Sequence, residues 1–370
     1  MIWSKDHLYG HLNWSFISIV FLLCAIGVFN LYSAGLSYDS KGMTPFYLKQ
    51  LQWLFVGFFL MLFSTLIDYR IVIRYAYLFH GIGVGLLILV SLYGYATHGS
   101  QRWINIGGLC FQPSEMVKLT VILVLARYFS EHYKEEGYGI RELIFPFFLA
   151  AVPFILILHQ PDLGTALMVV IIFVSMALFA RLRWKDFLFA VGFAVLAIPF
   201  FWYLLKDYQK ERILTFFNPE RDPLGAGYHI IQSIIAVGSG GVTGKGFLKG
   251  TQTQLKFLPE QQTDFVFSVL AEEWGFLGGM IVIFIFAFFL RYGFRTALGA
   301  RDYQGTLLAF GITLFFFWSV FINIGMVLGV LPVVGIPLPF LSYGGSALVA
   351  NLAAVGLLIN IDLRRFAFHG

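Results

Sequence analysis

The chain has 370 residues, of which 59% are hydrophobic and only 12% charged, with a mean hydropathy of +0.79. That much apolar side chain exceeds what a single soluble core can bury, so a soluble enzyme is excluded and an integral membrane protein is expected. The formal charge of +5 resides mostly in short connections, with no basic patch interleaved with aromatics on a soluble domain, so nucleic acid is not an expected partner.

A membrane span needs roughly 20 apolar residues, and its backbone must satisfy its own hydrogen bonds in lipid. Ten runs meet this pattern as helices, near 13–34, 50–67, 75–96, 113–130, 142–159, 163–181, 186–206, 265–291, 303–329 and 341–361. Within the first, the stretch 16–32 is followed by Ser33-Ala34-Gly35, as in a secretory signal, but it is long and many further spans follow. The fold class is therefore an all-α polytopic membrane protein, a single domain over 1–370, with a large loop at about 207–263 between helices 7 and 8. With the amino terminus in the cytoplasm, Lys5, Arg70, Arg74, Lys134, Arg141, Arg181, Arg183, Lys185, Arg291, Arg295, Arg301, Arg364 and Arg365 fall on the inner side, and the short outer loops receive little beyond Lys41, Lys49 and Arg102. Both termini are then cytoplasmic and the long loop is extracytoplasmic. Cys24 in the first span and Cys110 in an outer loop offer neither a disulfide framework nor a zinc spacing and are taken as packing residues.

The loop carries most of the chemistry. Asn218 to Gly227 is dense in Pro and Gly and predicts turns. Tyr228 to Val237 is amphipathic and too short to span, which suits a segment resting on the bilayer. Gly238-Ser239-Gly240-Gly241-Val242-Thr243-Gly244-Lys245-Gly246 superficially resembles a nucleotide-phosphate loop, but Ser239 and Gly246 stand where that motif needs Gly and Ser or Thr. Two readings stay open: backbone N–H groups approaching a phosphate or sugar, or a set of tight turns. Asp264 stands where the loop yields to Phe265-Val266-Phe267, at the water boundary of the next helix. Ionisable groups at such places are usually functional, the bland alternative being a helix N-cap or first-turn acid.

Gly225 to Ser233, Gly244-Lys245-Gly246, Thr251 to Gln254 and Phe257 through Asp264 closely resemble the SEDS family of cell-wall polymerases. So do Gln101-Arg102-Trp103, Phe111 to Glu115, Gln160 to Thr165 and Pro337 to Ser346. The resemblance covers nearly the whole chain. It implies ten transmembrane helices in a bacterial cytoplasmic membrane, polymerisation of lipid II into glycan strands at the outer face with undecaprenyl pyrophosphate released, and a class B penicillin-binding transpeptidase as partner. Its branch is the one serving elongation and cell shape. Lys256 stands where relatives can carry an acid, so a two-carboxylate scheme does not transfer.

Joining two disaccharide units requires the acceptor 4-hydroxyl to lose its proton as it attacks the anomeric carbon. Asp264 matches the family's catalytic acid and is the expected general base, a role that partial desolvation of an Asp favours. By analogy with inverting glycosidases no carboxylate nucleophile is needed. A pyrophosphate leaving group calls instead for positive charge, from Arg212, Lys118, Arg102 or a divalent cation, Mg²⁺ or Mn²⁺. Glu115 and Lys118, three apart, can pair, either orienting the site or neutralising one another as a structural link. Glu272 and Glu273 can tune Asp264 or serve as structural hydrogen-bonding groups. Asp162 lies in a short outer turn and is a supporting residue. Trp103, Gln232, Ser233, Lys245, Glu260, Thr263 and Ser342 complete the expected substrate-binding or supporting set. The Gly and Ser residues at 342–346 equally suit close helix packing. A lipid-linked precursor flippase, or a scaffold that only recruits a transpeptidase, remain the alternatives.

Overall fold

The protein is described from a computed structural model, over residues 12–36, 45–97, 100–106, 109–204, 207–221 and 225–365. Each of the ten apolar runs is matched by an α-helix. In chain order the helices are α1 Trp14–Leu36, α2 Phe46–Leu66, α3 Tyr69–Arg74, α4 Ala76–Tyr93, α5 Pro113–Glu131, α6 Ile144–His159 and α7 Leu163–Phe179. They continue as α8 Trp184–Leu204, α9 Asp207–Phe217, α10 Ala226–Ser239, α11 Thr251–Gln254, α12 Val266–Leu298, α13 Tyr303–Val327 and α14 Gly345–Arg364. Six of them, α1, α2, α4, α12, α13 and α14, are long and apolar enough to cross a membrane; α6 and α7 are shorter apolar helices. Nearly every residue of α14 is buried against α2, α5 and their neighbours, so it forms the axis of the bundle. By contrast α8 exposes Phe189, Phe193 and Leu196 and stands at the periphery.

The connections expected on one side of the membrane do gather at one end. Arg70 pairs with Asp302 at 2.7 Å and Arg364 with Asp68 at 3.2 Å, tying the α2–α3 turn to the starts and ends of α13 and α14. Tyr138 N donates to Arg181 O and Arg183 N donates to Tyr138 O, joining the α5–α6 and α7–α8 connections. There Lys134, hydrogen-bonded to Glu142, holds that carboxyl below its usual range. Helix starts carry Asp caps, with Asp68, Asp162 and Asp302 each accepting from a backbone N–H in the first turn.

To the helices is added, among the described residues, a small antiparallel sheet in the order β1 Tyr95–Thr97, β2 Ser100–Ile106, β3 Leu109–Phe111. Tyr95 pairs with Trp103 and Ile104 with Phe111. The runs are aromatic and β-branched, and Gly107-Gly108 between two of them is a hairpin signal.

The second addition is a break in α12 at Gly275, whose φ of 66° and ψ of −164° lie in a region essentially restricted to glycine. A break frees helical carbonyls and N–H groups, which lipid cannot satisfy. The loop after α10 takes four of them: Lys245 N and Gly246 N donate to Glu272 O and Glu273 O at 3.1 and 2.9 Å. In return Phe276 N and Leu277 N donate to Gly241 O and Val242 O at 2.8 and 3.1 Å. The glycine-rich segment is thus a set of turns that plugs a broken helix, with its Lys245 and Gly246 N–H groups already engaged. Glu272, fully buried, pairs with Lys245 at 2.7 Å and accepts from Thr251, Gln252 and Thr253; Glu273 accepts from Ser33. A tuning role was open for these two acids; their side-chain contacts tie α12 to Lys245 and α11 through Glu272 and to α1 through Glu273.

Helix α10 presents Ile230, Ser233 and Ala236 to protein and leaves Ile234 and Ile235 exposed. Its inner face covers α12 and α13, where Ser233 Oγ shares a hydrogen bond with Ser268 Oγ at 2.8 Å and donates to Val327 O at 2.7 Å. The expectation of a segment simply resting on the bilayer is corrected to that extent. Cys24 is buried as expected of a packing residue, whereas Cys110 is exposed on β3.

Candidate active site

Asp264 is half-buried and immediately precedes Phe265, the N-cap of α12. Its backbone is clamped by groups from two other parts of the chain. Asn323 of α13 donates from Nδ2 to Asp264 O at 3.0 Å and to Ile336 O at 2.8 Å. Ser342 Oγ donates to Thr263 O at 2.6 Å and accepts from Leu338 N, while Tyr343 N donates to Gln262 O at 2.8 Å. Thr263 in turn bonds Glu260, whose carbonyl also accepts from Phe265 N. Gly335 has φ +73°, and a methyl group there would sit 3.4 Å from Asp264 Oδ2, so the 331–344 loop closely abuts the carboxylate. Burial raises the pKa of the Tyr343 phenol above its ordinary value, with a lesser contribution from Cys110.

The other side of that loop presses on a second polar group. A Cβ on Gly164 would overlap Val334 O, so the start of α7 lies directly against residue 334. There Asp162 caps α7, its oxygens accepting from Thr165 N at 3.2 Å, Thr165 Oγ1 at 3.0 Å and Gln112 Nε2 at 3.1 Å. Arg102 of β2 donates to Gln160 O and Pro161 O and stands 3.9 Å from Asp162. Gln112 N donates to Ser346 Oγ at the start of α14, closing the ring. One turn along α5, Glu115 and Lys118 pair at 2.9 Å with both side chains buried, the ammonium lying 5.2 Å from the Phe315 ring centroid. A double-mutant cycle on Glu115→Gln and Lys118→Met, followed by thermal unfolding in detergent, is expected to show a coupling of about 1–3 kcal/mol. Additive losses would mean that the pair contributes nothing beyond its separate contacts.

The expected residues thus divide among separate places. Asp264, Glu260, Thr263 and Ser342 stand together, Arg102 and Asp162 lie at the start of α7 on the opposite side of the 331–344 loop, and Glu115 and Lys118 pair one turn along α5 against Phe315. Trp103 is half-buried on β2 beside Arg102. Lys245, Ser233 and the half-buried Gln232 belong to the packing of α10 and its following loop on α12, with Lys245 spent on Glu272 two turns from Asp264. Arg212 is on α9, and its side chain lies outside the described residues. Among the described residues no three His, Cys, Asp or Glu side chains converge as a metal cage. Asn323 was missed, its signal being an amide among the apolar residues that end a span, while Gln112 and Ser346 lay within the stretches that carry the family resemblance but were not among the expected site residues.

An apolar groove of about 460 Å³ opens between α1 and α12, lined by Ile26, Phe29, Leu270, Trp274 and Ile281 and roofed by Phe247. Asn30 also lines it and donates to Val266 O at 2.7 Å, two residues past Asp264.

The family described as cell cycle protein, FtsW/RodA/SpoVE, matches residues 13–366. The chain belongs to this family. The peptidoglycan glycosyltransferase MrdB of Escherichia coli (strain K12) is 38% identical over 364 residues, covering 98% of this chain and 95% of that protein. The peptidoglycan glycosyltransferase RodA of Treponema pallidum (strain Nichols) is 34% identical, covering 93% of this chain and 95% of that protein. A solved structure concerned with coordination of polymerisation and crosslinking by a peptidoglycan synthase complex superposes with a TM-score of 0.81 at 33% identity, covering 96% of this chain and 98% of that one. The resemblance to the SEDS family, and the membrane-helix fold it implies, hold for this FtsW/RodA/SpoVE member over nearly its full length.

Proposed function

We propose that this chain is a peptidoglycan glycosyltransferase that polymerises lipid II into glycan strands at the outer face of the bacterial cytoplasmic membrane, in cell elongation and shape. The observation that carries this is Asp264: a half-buried carboxylate on a clamped backbone, in a chain matched from end to end by proteins named as such enzymes. In the reaction the Asp264 carboxylate takes the proton of the acceptor 4-hydroxyl as that oxygen bonds to the donor's anomeric carbon. The carbon–oxygen bond to the pyrophosphate breaks, and undecaprenyl pyrophosphate leaves. Arg102, with 28% of its side chain exposed, is better placed to meet the leaving charge than Lys118, at 4% and already paired. A polyprenyl tail lying in the α1–α12 groove has its head group beside the start of α12.

A divalent cation such as Mg²⁺ or Mn²⁺, if bound, would supply further positive charge toward the leaving group, and it would need only one or two carboxylates from protein. Asp162, engaged with Thr165, Gln112 and Arg102, fits that role poorly, and Asp264 is assigned to the proton, so the carboxylates of the site provide no dedicated ligand for such a cation. A class B penicillin-binding transpeptidase is the proposed partner, and both termini and the clustered Arg and Lys residues lie on the cytoplasmic side.

The test is to co-purify the chain with that partner, supply lipid II and Mg²⁺, and measure glycan polymer beside lipid translocation in vesicles. Polymer from the wild type, lost in folded Asp264→Ala with translocation unchanged, supports the polymerase. Translocation by a wild type that forms no polymer assigns the cavity to a flippase, and full activity of Asp264→Ala removes Asp264 from the chemistry.

A further inference from the structure

We infer that Asn323 is a positioning residue for polymerisation, holding Asp264 at a set distance from the Arg102 side of the site; this rests on Asp264 acting as the base. Asn323 is completely buried in the last two turns of α13, where its neighbours in the helix are apolar. Burying an amide there is unfavourable unless its hydrogen bonds are made. Both bonds from Nδ2 go to backbone carbonyls of different loops, Asp264 O and Ile336 O. Among short neutral side chains only a primary amide offers two N–H groups from one atom. Its Oδ1 is buried with no hydrogen-bond partner. The side chain therefore carries an unsatisfied acceptor, and what it provides in return is the pair of donor contacts.

Those contacts act at two places. In an uninterrupted helix Asp264 O would accept from Ser268 N; that N–H instead bonds Phe265 O at 3.0 Å. By occupying Asp264 O, Asn323 keeps the carboxylate-bearing residue just outside α12. By holding Ile336 O it fixes the segment that abuts Asp264 Oδ2 at Gly335 and the start of α7 at Val334. That start is capped by Asp162, beside Arg102. One amide thus links the proton acceptor to the wall that carries the fixed cation.

The experiment uses the full chain with its transpeptidase partner and lipid II as probe, comparing Asn323→Ala, Asn323→Ser and Asn360→Ala. Asn360 is an equally buried amide that holds the carbonyls of Ser64, Thr65 and Ile67 at the far end of the bundle, so it controls for simple loss of stability. A misplacement of about 1 Å costs on the order of 100-fold in rate. For Asn323→Ala, kcat per folded molecule is expected to fall by roughly that factor with KM within about twofold. Asn323→Ser, which keeps one donor, should be intermediate, and Asn360→Ala should lower the melting temperature without changing kcat. Hydrogen exchange gives a second readout independent of activity: amides at 263–268 and 336–342 should exchange faster in Asn323→Ala than in the wild type. Unchanged exchange in those two segments overturns the inference even if no polymer is formed by any protein. So does an unchanged kcat in an active preparation.

Discussion

Asp264→Asn is expected to lower the rate of glycan polymerisation by about 10²–10⁴-fold, the usual contribution of a general base. The melting temperature should change little. Asn has nearly the shape of Asp, and the bond that holds this position, from Asn323 Nδ2, goes to the main-chain carbonyl, which the substitution leaves in place. What disappears is the capacity to accept a proton at the water boundary. Initial rates of polymer formation with the co-purified partner, set beside thermal unfolding in detergent, separate the two effects. A rate within a few-fold of the wild type would assign proton removal to another group. A large fall in melting temperature would mean that the carboxylate is structural.

Gly275→Ala is expected to destabilise the fold by about 5 kcal/mol. The backbone conformation there is one that only glycine adopts readily, and forcing another residue into it costs about 1–3 kcal/mol. A Cβ would also overlap Gly244 N and lie 2.6 Å from Val242 O, both backbone atoms of the plugging loop. Moving that loop strains the four hydrogen bonds between the halves of α12 and residues 241–246, each contributing about 1 kcal/mol. Lys245 would be drawn away from the buried Glu272 at the same time. Thermal unfolding of the purified protein reads the loss directly. A melting temperature close to wild type would show that the break in α12 can close into ordinary helix.

How much of this was legible in the chain depends on which physical force decided each part. The helices were plain because apolar runs bounded by Arg, Lys and Pro leave the backbone few choices in lipid. Asp264 was visible because a carboxylate at the edge of such a run is costly without a purpose, and the pairing of Glu115 with Lys118 followed from helical spacing. The plug was not visible. Hydrogen bonds from Lys245 N to Glu272 O are made by backbone, and nothing in the side-chain pattern from Gly238 to Gly246 names its acceptor. Glycine-rich sequence is equally compatible with phosphate binding, and only the partner at Gly275 decides between them. Asn323 and Ile336 meet across a loop whose course is set by tertiary packing, so the clamp on Asp264 was likewise hidden.

The plugged break in α12 also bears on how the chain is assembled. Residues 241–246 are synthesised before 266–298, and they supply the missing hydrogen bonds at Glu272, Glu273, Phe276 and Leu277. The broken stretch of α12 is unfit for lipid until that earlier segment has folded beside it. Integration of this helix is therefore a cooperative act of two segments, with the preceding loop serving as its template.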